Sequence, residues 1–169
     1  MKTIILTTVV LFSVFCGFSQ EKSKQQIKEE QNAIKEKRIT DLVESKEYEF
    51  VAEMAYPQGT RSISMTTNSN FFRFEKDTIH SEMPFFGRAY SGVGYGAGDG
   101  GLNFKGVAKN YSIKKGKKNY TIKAEVKNNT DSYDIILTVY FGGSADLVIN
   151  SSNRSPISYR GTIDKRKIE

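Results

Sequence analysis

Cysteine occurs once in this sequence, at position 16; histidine occurs once, proline three times and tryptophan not at all. A lone cysteine allows no disulfide within the chain, so the fold must be held by its core. His80 alone cannot build a histidine-rich metal site, and beyond Cys16 no thiolate remains to complete a zinc ligand set. No GxSxG elbow accompanies His80, and carboxylates such as Glu82 and Asp99 form too loose a pattern to mark a general acid and base. No apolar run reaches the roughly 20 residues of a membrane-spanning helix. These absences point to a non-enzymatic chain, with no catalytic residue, no metal and no cofactor assigned.

What is present begins with an export signature. Lys2 supplies a positive start, Ile4 to Phe15 an apolar stretch, and Gly17-Phe18-Ser19 a small-x-small cleavage pattern, so residues 1–19 read as a signal peptide. The rival reading, a lipoprotein anchored at Cys16, is disfavoured by the bulky Phe15 before the cysteine and by Ser13 where an aliphatic residue is wanted. The expected product is periplasmic or secreted, with no transmembrane segment after cleavage. The formal net charge of +6 permits attraction to anionic envelope polymers or lipid headgroups, but Lys and Arg are scattered along the chain, the ordinary pattern of a soluble surface, and no nucleic-acid recognition motif appears.

Residues 20–46 are densely charged, contain neither Gly nor Pro, and place Ile27, Ile34, Leu42 and Val43 on one thin apolar stripe. The pattern predicts a charged helix or tether. From Glu47 the period changes to two. Tyr48, Phe50, Ala52 and Met54 form one face against Glu47, Glu49, Val51 and Glu53, and Tyr120, Ile122, Ala124 and Val126 alternate with polar residues. Further short strands are expected around Ile63 and Met65, Phe72 and Phe74, Ile79 to Phe85, Leu102 to Phe104, Tyr111 and Ile113, Leu147 and Ile149, and Ile157 to Ile163. Tyr133 to Phe141 is more continuously apolar and is the expected most buried strand. Nine or ten short strands with no helical pattern between them predict a mainly β fold: an antiparallel β-barrel-like or β-sandwich domain over 47–164, preceded by an N-terminal helix and followed by the charged tail 165–169.

More than half of the 14 glycines fall between Pro84 and Gly106. So many residues without a Cβ cost entropy on ordering and suit a backbone that bends sharply or lies against something. Gly96-Ala97-Gly98-Asp99-Gly100-Gly101 satisfies GxGxxG formally, but the following Leu102-Asn103-Phe104 reads as strand, not as the helix a dinucleotide needs. Asp99 lacks the further carboxylates that calcium requires. As ligand contacts the segment offers Arg88, Tyr90, Tyr95 and Asp99. Arg154, before Ser155-Pro156, joins them if the two guanidinium forks face one cavity.

Several stretches resemble a family of exported Bacteroidota proteins catalogued as a domain of unknown function. They are Leu42-Val43-Glu44-Ser45, Ala55-Tyr56-Pro57 with Gly59 and Arg61-Ser62-Ile63, Pro84 to Tyr90, the glycine run ending in Phe104, and Asn153 to Tyr159 with Gly161. The resemblance implies an exported, mostly β domain of the cell envelope and carries no activity with it. The expected role is a ligand- or protein-binding module that uses the glycine-rich loop. The alternative is a structural or assembly factor that docks a partner through its N-terminal helix.

Overall fold

The computed structural model describes residues 23–67, 69–90, 100–128 and 131–166. Ser23 caps the helix α1 (Lys24–Ser45): its Oγ accepts the Gln26 N–H at 3.2 Å while Gln26 Oε1 accepts the Ser23 N–H at 2.9 Å, a reciprocal capping box. The chain divides at Gln31, and α1 from Asn32 onward belongs to the same unit as the strands. Lys46, in the left-handed region at φ 52°, ends the helix and turns the chain into β1.

Ten strands follow: β1 (Glu47–Pro57), β2 (Ile63–Ser64), β3 (Phe71–Glu75), β4 (Thr78–Met83), β5 (Leu102–Val107), β6 (Lys109–Lys115), β7 (Asn119–Lys127), β8 (Ser132–Tyr140), β9 (Ser144–Ser151) and β10 (Ile157–Lys165). They form one antiparallel sheet in the order β5-β4-β3-β1-β10-β9-β8-β7-β6, with β2 paired to β1. A single sheet rather than two packed ones decides for a barrel-like form. Its two ends are consecutive in the chain. Only Ala108 separates β5, paired to β4, from β6, paired to β7, and the Ala108 N–H donates to Asp77 O at 2.8 Å. Phe104 of β5 stacks on Tyr133 of β8 at 4.0 Å between centroids, so the sheet nearly closes on itself.

Period-two patterning puts apolar side chains inside and polar ones outside, the reverse of a lipid-facing barrel. Tyr48, Phe50, Phe72, Phe74, Ile122, Leu137 and Leu147 are fully enclosed. β8 keeps to the same rule: Ile136 is half-buried and Tyr140 exposed, so the apolar run Tyr133 to Phe141 is buried on one face and not on both. The alternation of β1 breaks at a bulge between Ala52 and Met54, which pair with the adjacent Gly161 and Arg160. Beyond it Ala55 and Pro57 turn inward, and Met54, expected inside, is only half-buried.

Helix α1 does not stand apart as a solvated tether. Ile39, Leu42 and Val43 are buried in the core, Thr40 Oγ1 lies 3.1 Å from Tyr120 Oη, and Arg38 pairs with Asp164 at 2.9 Å. Of the expected stripe, Ile27 and Ile34 are exposed, and Ile39 takes the inward place. Among the described residues no helix is long and apolar enough to cross a membrane.

Burial raises the Tyr48 and Tyr159 phenols above their ordinary value, the Tyr111 phenol adding to the shift of Tyr48. A phenol raised in the fold keeps its proton there but loses it in the unfolded chain above pH 10.0. Stability is therefore whole below that pH and falls as pH rises through the folded values. Phenolate absorbance should accordingly complete its rise only together with loss of the β circular-dichroism signal. Ionisation of all nine tyrosines in a still folded chain would contradict this.

Candidate functional site

Three segments far apart in sequence meet where β1 and β4 end and β10 begins: 57–60, 84–90 and 153–156. Ala89 bridges Arg154 in antiparallel fashion, the Tyr90 N–H donates to Asn153 O at 2.8 Å, and the Ser155 N–H donates to Arg88 O at 2.9 Å. The Arg88 N–H returns a bond to Ser155 Oγ at 3.0 Å, so both backbone groups of Arg88 are fixed by one buried serine. Tyr159 Oη donates to Pro84 O at 2.7 Å and anchors the start of the segment. Gly87 is required by closeness: a Cβ there would collide with Ser155 Oγ and come within 2.5 Å of the Phe85 ring.

A second tie holds the residues that precede Asn153. Asp131 accepts bonds from Ser151 Oγ at 2.6 Å, Ser152 Oγ at 2.9 Å, and the N–H groups of Ser152 and Ser132. Partial burial works to raise its pKa, but these donors outweigh it and hold the carboxyl below its ordinary value. The anchor thus stays ionised and fixes the residues leading into Asn153.

The cleft above this platform has a volume of about 510 Å³ and is lined by Gln58, Gly59, Thr60, Phe86, Gly87, Arg88, Tyr90 and Ser155. Arg88 is exposed, and its guanidinium has no acidic partner among the described residues; Tyr90 is 67% exposed beside it. Arg88 and Tyr90 are therefore brought together. Arg154 is placed elsewhere. Its Nη1 donates to Gly100 O at 3.1 Å and Gly101 O at 2.7 Å, with the guanidinium 5.2 Å from the Phe85 ring centre. It clamps the chain entering β5 and is not among the side chains that line the Arg88 cleft. Tyr95 and Asp99 lie outside the described residues.

Nothing in the sequence pattern singles out Gln58 and Thr60, which join Arg88 in lining the cleft. Nor does the pattern mark the part played by Ser155. The signal available was that the stretches around Gly59, Arg88 and Ser155 all belonged to the resemblance, although nothing in one chain shows that they touch. His80 is paired with Glu82 at 3.4 Å and packs edge-on against Phe71, remote from the cleft lining. No group of three or more metal-ligating side chains occurs among the described residues.

Comparison with known proteins agrees with this architecture. A family model described as "Domain of unknown function (DUF4251)" matches residues 30–163. Among solved structures, the crystal structure of a DUF4251 family protein from Bacteroides eggerthii DSM 20697 is similar, with 18% sequence identity and a TM-score of 0.60. The match covers 79% of this chain and 89% of that one, and at this identity it speaks for the fold. No curated protein matches the chain.

Proposed function

The chain belongs to the DUF4251 family, and from that premise we propose that it is an exported, non-enzymatic binding module that holds an anionic group of an envelope ligand in the Arg88 cleft. Residues 1–19 carry the export reading. The observation that carries the binding reading is the contrast between two arginines of neighbouring segments. Arg154 is held by backbone carbonyls, whereas Arg88 has its backbone fixed on both sides and its fork directed to no acid among the described residues. An immobilised backbone lowers the entropy lost when a guanidinium meets a carboxylate or phosphate. Gln58, Thr60 and Tyr90 add neutral hydrogen-bonding groups, and Phe86 adds an apolar wall.

Calorimetric titration with citrate and with inorganic pyrophosphate tests the reading. Wild type should bind at least one of them. Arg88→Ala should weaken that binding about tenfold or more, the effect of roughly 1.5–3 kcal/mol for a charged hydrogen bond, with the melting temperature within a few degrees of wild type. Unchanged binding would remove Arg88 from the site, and a large loss of stability would make it structural.

A second reading, partner docking through the helix, draws on the exposure of residues 23–35. Truncation must stop at Gln31, because Ile39, Leu42 and Val43 are core. Loss of partner capture with ligand binding intact would favour this reading.

A further inference from the structure

β9 leads from the Arg88 platform at its C-terminal end to a different surface at its start. There the β6–β7 turn and the β8–β9 turn are joined by the Phe141 N–H donating to Lys118 O at 3.2 Å, and α1 passes alongside. A groove of about 400 Å³ lies between them, with Lys35 and Lys118 at its sides and Tyr140 and Phe141 within it. Lys114 and Lys117 stand on the same rim, both exposed.

Cations without an acidic partner also stand on the barrel wall, at Lys109, Lys123 and Lys127 among the described residues, but at this rim four of them gather around one groove. Arg38, Lys46, Arg73, Lys76, Lys105 and Arg160 each meet a carboxylate on the body of the barrel. At the rim only Lys115 does so, bonded to Glu36 at 2.8 Å. Among the described residues Lys35, Lys114, Lys117 and Lys118 have no acidic partner. Lysine on the end strand β6 also discourages edge-to-edge pairing, but that explains Lys114 and Lys115 alone; Lys117 and Lys118 are on the turn and Lys35 is on the helix. Unpaired like charges repel one another, and an opposing anionic surface relieves them.

We infer that this rim docks on an anionic lipid surface, with one headgroup entering the groove. A single soluble anion needs donors that converge, whereas Lys114 and Lys117 lie outside the groove lining. Tyr140, with an apolar ring and a polar tip, and the half-buried Phe141 suit the boundary between headgroups and acyl chains. Glycines 142 and 143 have open space where a side chain would be, which allows the β8–β9 turn to approach a surface closely.

Co-sedimentation with vesicles of phosphatidylglycerol and phosphatidylcholine tests the inference. Pure phosphatidylcholine vesicles are the reference, and they subtract binding through the apolar residues 4–15. The chain should pellet with the anionic vesicles at low salt and be released at high salt. Each lysine near an anionic surface accounts for roughly fivefold in affinity, so Lys117→Glu with Lys118→Glu should weaken binding about 25-fold or more. Lys109→Glu with Lys127→Glu makes the same charge change at the opposite ends of β6 and β7 and should leave binding within about twofold. No pelleting with anionic vesicles, or an equal loss in both double variants, overturns the inference. Full displacement by inorganic phosphate at constant ionic strength also overturns it and assigns the groove to a free anion. The Arg88 cleft is untouched by either pair, so failure here leaves that reading standing.

Discussion

Gly161→Ala is expected to cost about 3 kcal/mol or more and to lower the melting temperature by roughly 10 °C. The reason is local and steric. Gly161 pairs with Ala52 at the β1 bulge, and a Cβ there would overlap the Val51 carbonyl oxygen and lie 2.8 Å from Ala52 Cα. Both are backbone atoms, so no side-chain rotation relieves the clash; the strand itself must move. The bulge sets which face of β1 is inward beyond Met54, and with it the position of Pro57 at the edge of the Arg88 cleft. Thermal unfolding followed by circular dichroism checks the result. A melting temperature within about 2 °C of wild type would show that β1 and β10 do not approach so closely.

Val43→Asp should be at least as damaging, at about 4 kcal/mol near neutral pH. Val43 has no exposed surface, and its neighbours Ile39 and Leu42 are buried with it. A carboxylate there has no counter-ion and so remains protonated to an unusually high pH. The sign follows: its folded pKa is raised, so the destabilisation should be smaller in acid and should grow as pH rises above the ordinary carboxylate range. Ile34→Asp, on the exposed part of the same helix, should change stability by under about 0.5 kcal/mol. Equal tolerance of both substitutions would mean that α1 is a tether after all.

These two positions also show what one sequence makes legible. Alternation is a local property, and it identified the strands wherever pairing is regular: Tyr48 to Ala52, and Tyr120 to Val126, face inward as the pattern demanded. It failed at Met54, because a bulge inserts a residue and inverts the faces beyond it, and the cause, Gly161, lies on the partner strand. It failed on β8 for another reason. An apolar run does not say whether the second face is covered, and in a barrel wall it is not. Helix α1 was visible from its composition, but its buried stripe was misplaced. The spacing aligns Ile27 and Ile34 with Leu42 and Val43, whereas only the last turns meet the barrel and Ile39 completes the contact.

At the candidate site the legible part was residue chemistry and the illegible part was convergence. Arg88 and Tyr90 follow a turn glycine and proved to share a cleft. Arg154 has the same chemistry, yet its segment runs antiparallel to Ala89, and its side chain is drawn to the Gly100 and Gly101 carbonyls. Which arginine is free depends on that pairing, a contact across more than sixty positions in the chain that no local pattern encodes.

The central claim is that 57–60, 84–90 and 153–156 form one cleft which takes up an anion. Amide chemical-shift mapping of the wild-type chain, titrated with whichever of citrate or pyrophosphate it binds, tests this most directly. The account predicts that the largest shifts fall together on Gln58, Gly59, Thr60, Gly87, Arg88, Tyr90 and Ser155, and that Arg88→Ala requires about tenfold more anion or more to produce them. Shifts spread over the lysines, or centred away from these residues, would contradict it.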